Sequence, residues 1–141
     1  MECVEVVIGA GGNSRIVIRP LLRGDEHWIE SDVTVRAGAF RGEFRASLRP
    51  EEFVAFRADL ERLHRELQGL GRFDSMEGWV AIEIRGDGRG HFEGSCQLRD
   101  RAGDGNLLKC EIEFDQTDIP AMLKQLADIR TAFPPATGVA G

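Results

Sequence analysis

Apolar and polar residues alternate along much of this chain, and twice the alternation gives way to helical spacing in the same manner. In the first copy Phe44, Ala46 and Leu48 alternate with Arg45, Ser47 and Arg49, then Phe53, Phe56, Leu60, Leu63 and Leu67 follow at helix-face steps. In the second, Cys110, Ile112 and Phe114 alternate with Glu111, Glu113 and Asp115, then Ile119, Met122, Leu126, Ile129 and Phe133 follow with identical steps. A period of two sends successive side chains to opposite faces of a strand, whereas steps of three and four keep them on one face of a helix. The chain therefore reads as two related ββα units.

The same pattern locates the other elements. Val4, Val6 and Ile8 predict a first strand, ended by the hairpin turn Gly9 to Asn13; Ile16 and Ile18 predict a second, stopped at Pro20. His27 to Ala37 reads as a third strand, and Gly38 as part of a tight connection into a fourth, Phe40 to Leu48. Pro50 suits the first turn of a helix, where its missing N–H costs nothing, and Glu51 and Glu52 complement the positive end of the helix dipole. That helix should stop near Leu67, with Gly69 and Gly71 as its signals and a linker from Phe73 to Gly78. Trp79 to Arg85 then predicts a strand, Asp87-Gly88 a hairpin turn, Phe92 to Leu98 a strand, and Leu108 to Phe114 its return. Thr117 is placed to cap the last helix, which tolerates Pro120 only in its first turn. The expected architecture is a single α+β domain over 1–133: a mostly antiparallel sheet of about seven strands with two amphipathic helices packed on one face. Residues 134–141, Pro-Pro-Ala-Thr-Gly-Val-Ala-Gly, read as a flexible C-terminal tail.

Composition narrows the class. A chain of 141 residues buries roughly 68% of its unfolded surface, enough for a core without disulfide or metal. Charged residues make up 30% and the net charge is -6. Lys and Arg are interspersed with Glu and Asp, which gives no basic footprint for nucleic acid or membrane. An acidic surface suits instead a basic partner, such as an enzyme that itself binds nucleic acid. Apolar runs such as Val6-Val7-Ile8 are far too short to span a bilayer, and Glu2 and Glu5 stand where a signal peptide needs positive charge. Cys96 and Cys110 fall on inward strand faces, so free thiols in a reducing cytoplasm are expected.

No motif for chemistry survives inspection. Gly9-x-Gly11 lacks the third glycine and the following helix that a phosphate site requires. Asp100, Asp104 and Asn106 lack the ligand spacing and terminal glutamate of a calcium loop. His27, His64 and His91 lie on separate elements without metal-ligand spacing, and no local Cys-His signature is present. The expectation is a protein without catalytic residues, cofactor or metal. The candidate functional surface is the polar side of the strands: Trp28; Arg41, Glu43, Arg45 and Arg49; Glu83 and Arg85; Glu93, Gln97 and Arg99; and Lys109, Glu111 and Glu113. Charges in rows on a stiff sheet can be complementary to one partner, although cross-strand ion pairing alone would also account for them. A small-molecule or enzymatic pocket between sheet and helices, and a homo-dimer through an edge strand, are the alternatives.

Several of these residues together resemble a known family. Trp28, then Phe40-x-Gly42-x-Phe44, Gly86-Asp87-Gly88-x-Gly90-His91, Gly105-Asn106-x-Leu108, Asp115-Gln116-Thr117-x-Ile119-Pro120 and Phe133-Pro134 are similar to the WapI-type immunity proteins. The resemblance spans Trp28 to Pro134, and Asp-Gln-Thr-x-Ile-Pro is its most specific part. It implies a small bacterial, cytoplasmic protein that binds and neutralises a toxin by protein–protein contact. It carries over no catalytic residue.

Overall fold

The inward alternation is realised twice, in two sheets. The computed structural model describes residues 3–9 and 11–135, the side chain of residue 26 excepted; the expected tail therefore lies outside the described residues from 136 onward. Strands β1 (Val6–Ile8), β2 (Ser14–Arg23), β3 (Ile29–Ala37) and β4 (Phe40–Leu48) form one antiparallel sheet in that order, and helix α1 (Pro50–Glu66) follows. Strands β5 (Gln68–Asp74), β6 (Val80–Asp87), β7 (His91–Arg99) and β8 (Leu107–Asp115) form the second, and α2 (Ile119–Ala132) follows. The α+β class, the antiparallel pairing, the two helices and the internal repeat are as the pattern predicts. The strands number eight rather than seven, they divide into two sheets of four, and each repeat is ββββα.

The additional strand is β5, which the sequence presents as a helix stop and linker. Its inward positions are Gly71 and Phe73, so half of the apolar signal is missing. The cause is α1, which crosses so close that a β-carbon on Gly71 would lie 2.9 Å from Leu63 Cδ1. The helix ends at Leu67 itself, whose φ of 63° is left-handed and whose N–H donates to the Leu63 carbonyl at 2.8 Å. A non-glycine residue in that conformation is uncommon, and nothing in its identity announces it.

Three smaller differences have equally local reasons. β2 runs through Pro20, because β1 pairs only with Ile16 to Ile18 and the ladder is bulged between Pro20 and Leu22; an edge and a bulge are where strands accept proline. β3 begins at Ile29, since Asp25–His27 form a 3-10 turn in which His27 has a φ of 76°. Thr117 does not cap the last helix: it lies in a 3-10 turn, Gln116–Asp118, that leads into α2 and is itself capped by Asp115, whose carboxylate accepts from the Thr117 N–H at 2.8 Å while Asp118 accepts from the Asp115 N–H. Pro120 does fall in the first turn of α2.

One contiguous core joins everything. The inward residues of both sheets meet Phe53, Phe56, Leu60 and Leu63 of α1 and Ile119, Met122, Leu126 and Ile129 of α2. Phe73 is held edge-on between Phe53 and Phe56, with ring centroids 5.3 and 5.7 Å apart. The Val7 N–H, on the free side of β1, donates to Gln125 Oε1 of α2 at 2.9 Å, which shields that sheet edge from further pairing. With the interior filled in this way, the polar outer faces of the two sheets are left to meet solvent.

Candidate functional site

Alternation dictates what the outer faces carry, and register dictates which of those side chains meet. The candidate residues separate onto two sheets. Arg41, Glu43 and Arg45 stand on β4 of the first; Glu83 and Arg85 (β6), Glu93, Gln97 and Arg99 (β7), and Lys109, Glu111 and Glu113 (β8) stand on the second. Trp28 is half-buried just before β3, where its carbonyl accepts from the Gly24 N–H at 2.7 Å. Arg49 belongs to neither face: it precedes α1, and its Nε donates to Glu52 Oε2 at 3.2 Å.

On the first sheet, Arg15, Arg36 and Arg41 are cross-strand neighbours on β2, β3 and β4. They border a small hollow of about 130 Å³ with Val17 and Thr34. The arginines beside them are neutralised, Arg19 by Glu5 at 2.9 Å and Arg45 by Asp32 at 2.8 Å. None of the three in the row forms an ion pair among the described residues. The sequence gives no hint of this cluster, because its members come from three strands.

The second sheet has the opposite character. Glu93 of β7 and Glu113 of β8 are direct cross-strand partners, and Glu83 and Glu111 flank Ser95 in the adjoining register. These four carboxylates, with Arg85 as the single cation, line a cleft of about 550 Å³. Its overhanging wall is the β1–β2 turn, Gly12 to Ser14. That turn reaches across from the first repeat, close enough that a β-carbon on Gly12 would sit 3.5 Å from the Glu113 carbonyl. Farther along the face the charge changes, with Gln97 opposite Lys109, while Arg99 is turned to the Gly105 carbonyl at 3.2 Å. The cleft is thus a polar, open feature of the strands, outside the core that the inward side chains of sheets and helices fill.

His91 adds to the acidic end. Its Nε2 lies 3.6 Å from Glu113 Oε1 and 3.8 Å from Glu93 Oε1. Asp87, at the start of the β6–β7 turn, is held below the usual carboxylate range by the Arg89 N–H and then the His91 N–H, which both donate to Oδ1. Asp100 is lowered by the Asn106 side chain and N–H, which close the β7–β8 loop as a turn. Cys96 and Cys110 are direct cross-strand partners and are free thiols. A hydrogen bond shared with Cys110, reinforced by burial, pushes the Cys96 thiol up, so Cys96 keeps its proton.

Comparison with known proteins adds the family. The fold resembles that of the plant transcriptional regulator PBF-2, with a TM-score of 0.51 and 14% identity over 94% of this chain and 83% of that one. Crystal structures of MRP1/MRP2 from Trypanosoma bruciei align with a TM-score of 0.47 and 17% identity over 93% and 86%. No curated protein sequence matches. The family model described as "Immunity protein WapI-like family" matches residues 8–134, which take in strands β2 to β8, both helices and every residue of the cleft: the chain belongs to the WapI-like immunity family.

Proposed function

We propose that this chain is the immunity protein of a bacterial cell, acting in the cytoplasm to neutralise a cognate protein toxin by direct contact and without chemistry. Family membership supports the toxin-neutralising role, and the acidic cleft supports the place of contact. Four carboxylates around Arg85, even with Glu83 paired to Arg72, give these rigid strands a net negative field complementary to a basic loop or helix end. Toxins that act on nucleic acid present such basic surfaces, and covering one would block access to the substrate. The polar lining fits a charged segment better than an apolar small molecule, whose pockets are lined mainly by hydrophobic and aromatic side chains.

The test starts with capture of the partner on immobilised chain and confirmation that the captured protein is toxic when expressed alone and harmless when co-expressed with the chain. Glu93→Lys with Glu113→Lys should then abolish protection while the melting temperature is preserved. Arg36→Glu with Arg41→Glu, on the other sheet, should leave protection intact. Protection that survives reversal of the glutamates would place the contact elsewhere.

A further inference from the structure

We infer that His91, Glu93 and Glu113 form a binding site for a divalent transition-metal ion such as Zn²⁺ on the outer face of the second sheet. His91 and Glu93 are two apart on β7, which puts them on one side, and Glu113 is the cross-strand partner of Glu93 on β8. Their donor atoms all lie within 4.8 Å of one another. The imidazole Nε2 stands 3.6 and 3.8 Å from the two carboxylate oxygens, too far to hydrogen-bond. Four donors about 2.0 Å from a tetrahedral Zn²⁺ stand about 3.3 Å apart, and these exposed side chains can rotate to close that gap without backbone movement.

Three features separate this cluster from an ordinary patch of surface acids. First, it contains an imidazole, a borderline ligand that favours Zn²⁺ and its neighbours over the hard ions Ca²⁺ and Mg²⁺. Second, like charges placed directly across two strands repel, and among the described residues Glu93 and Glu113 have no Lys or Arg ion-pair partner. Third, the nearby carboxylates are already engaged, Asp87 by two backbone N–H groups and Asp115 by Thr117, while Glu93 and Glu113 open onto the cleft. A metal held here would keep a free coordination position facing that cleft, for water or for a donor from a docked protein. The site stands whether or not the toxin reading is correct.

Isothermal titration calorimetry of the Cys3→Ser chain with ZnCl₂ tests the inference; the substitution removes the exposed thiol as a competing ligand. We expect one saturable equivalent of Zn²⁺, weakened about ten-fold or more by each of His91→Ala, Glu93→Gln and Glu113→Gln. Glu83→Gln, whose carboxylate pairs with Arg72, should leave the affinity unchanged. Zn²⁺ should also shift the ring nitrogen resonances of His91 in NMR spectra, and circular dichroism should show each variant folded. The inference is overturned by the absence of saturable binding, by affinity that withstands His91→Ala, or by equal affinity for Mg²⁺.

Discussion

The outer face of the first sheet and that of the second are built on the same alternation yet carry opposite charge. Where β2, β3 and β4 line up Arg15, Arg36 and Arg41, strands β7 and β8 oppose Glu93 and Glu113, with Glu111 and Glu83 alongside. The inward residues of both repeats are constrained alike, since each must fill a shared core at close-packed density. The outward residues meet water and one another rather than a shared core and are free to diverge. Two repeats that must agree inside and need not agree outside are therefore a way to place unlike surfaces on one rigid body, and the unlike surfaces are where recognition is to be sought.

The comparison is tested most severely in the core. Leu60 of α1 and Leu126 of α2 occupy corresponding places and are 0% and 1% exposed. Leu60→Ala and Leu126→Ala should each cost about 2–5 kcal/mol in a urea titration. A large cost at one and none at the other would show that the repeats do not share the core equally.

The helix starts offer a finer contrast. Glu52 in α1 and Asp118 before α2 each accept from a backbone N–H three residues earlier, Arg49 at 2.9 Å and Asp115 at 3.1 Å. Glu52, however, is 5% exposed and also accepts from the Met76 N–H at 2.8 Å, tying α1 to the β5–β6 turn. Glu52→Ala should cost about 1–3 kcal/mol, because it removes a buried acceptor and leaves the part-buried Arg49 and Met76 N–H groups unpaired. Asp118→Ala should cost only about 0.5–1 kcal/mol. Equal losses in chemical denaturation would contradict the assigned difference in burial.

A third probe works through charge alone. Glu113→Gln removes the like charge opposite Glu93 and should raise the melting temperature at low salt, as should Arg36→Gln, between Arg15 and Arg41 on the basic face. Both gains should shrink at molar salt, where screening acts over about 3 Å. Gains that ignore salt would mean packing, not charge, is responsible.

The smallest expected effect concerns pH. Asp115 is held below the usual carboxylate range, chiefly by the Thr117 hydroxyl and then by its N–H. A depressed folded value means that its contribution is complete above the ordinary carboxylate pKa of about 3.9 and is lost as pH falls through the lower folded value. Asp115→Asn should thus lower the urea midpoint slightly at neutral pH and flatten its decline in acid; an unchanged acid limb would remove Asp115 from the account.

Much of the fold was legible in the sequence because its signals are local. The alternation of Phe44 to Arg49 and of Cys110 to Asp115, and the helical steps after them, were sufficient to place β4–α1 and β8–α2. What escaped was β5, where Gly71 replaces an apolar residue because α1 leaves no room for one. The left-handed Leu67 and the bulge after Pro20 escaped as well. The candidate surface was legible residue by residue but not as a surface: it appeared as one charged face, whereas its members divide between two sheets, and Arg49 is drawn to Glu52. His91 carries no such signal along the chain, because its neighbour Glu113 comes from another strand and no spacing along the chain reports cross-strand register.

The sequence by itself determined the α+β class, the repeat, the inward-facing residues and the family resemblance, since periodicity and motif are properties of order along the chain. Only the tertiary structure decided that the strands divide into two sheets of four, that three dispersed arginines form a row, and that the β1–β2 turn of one repeat overhangs the acidic cleft of the other. Those outcomes depend on strand register and on the packing of the helices and sheets against one another. Both are set by contacts among residues far apart in the chain.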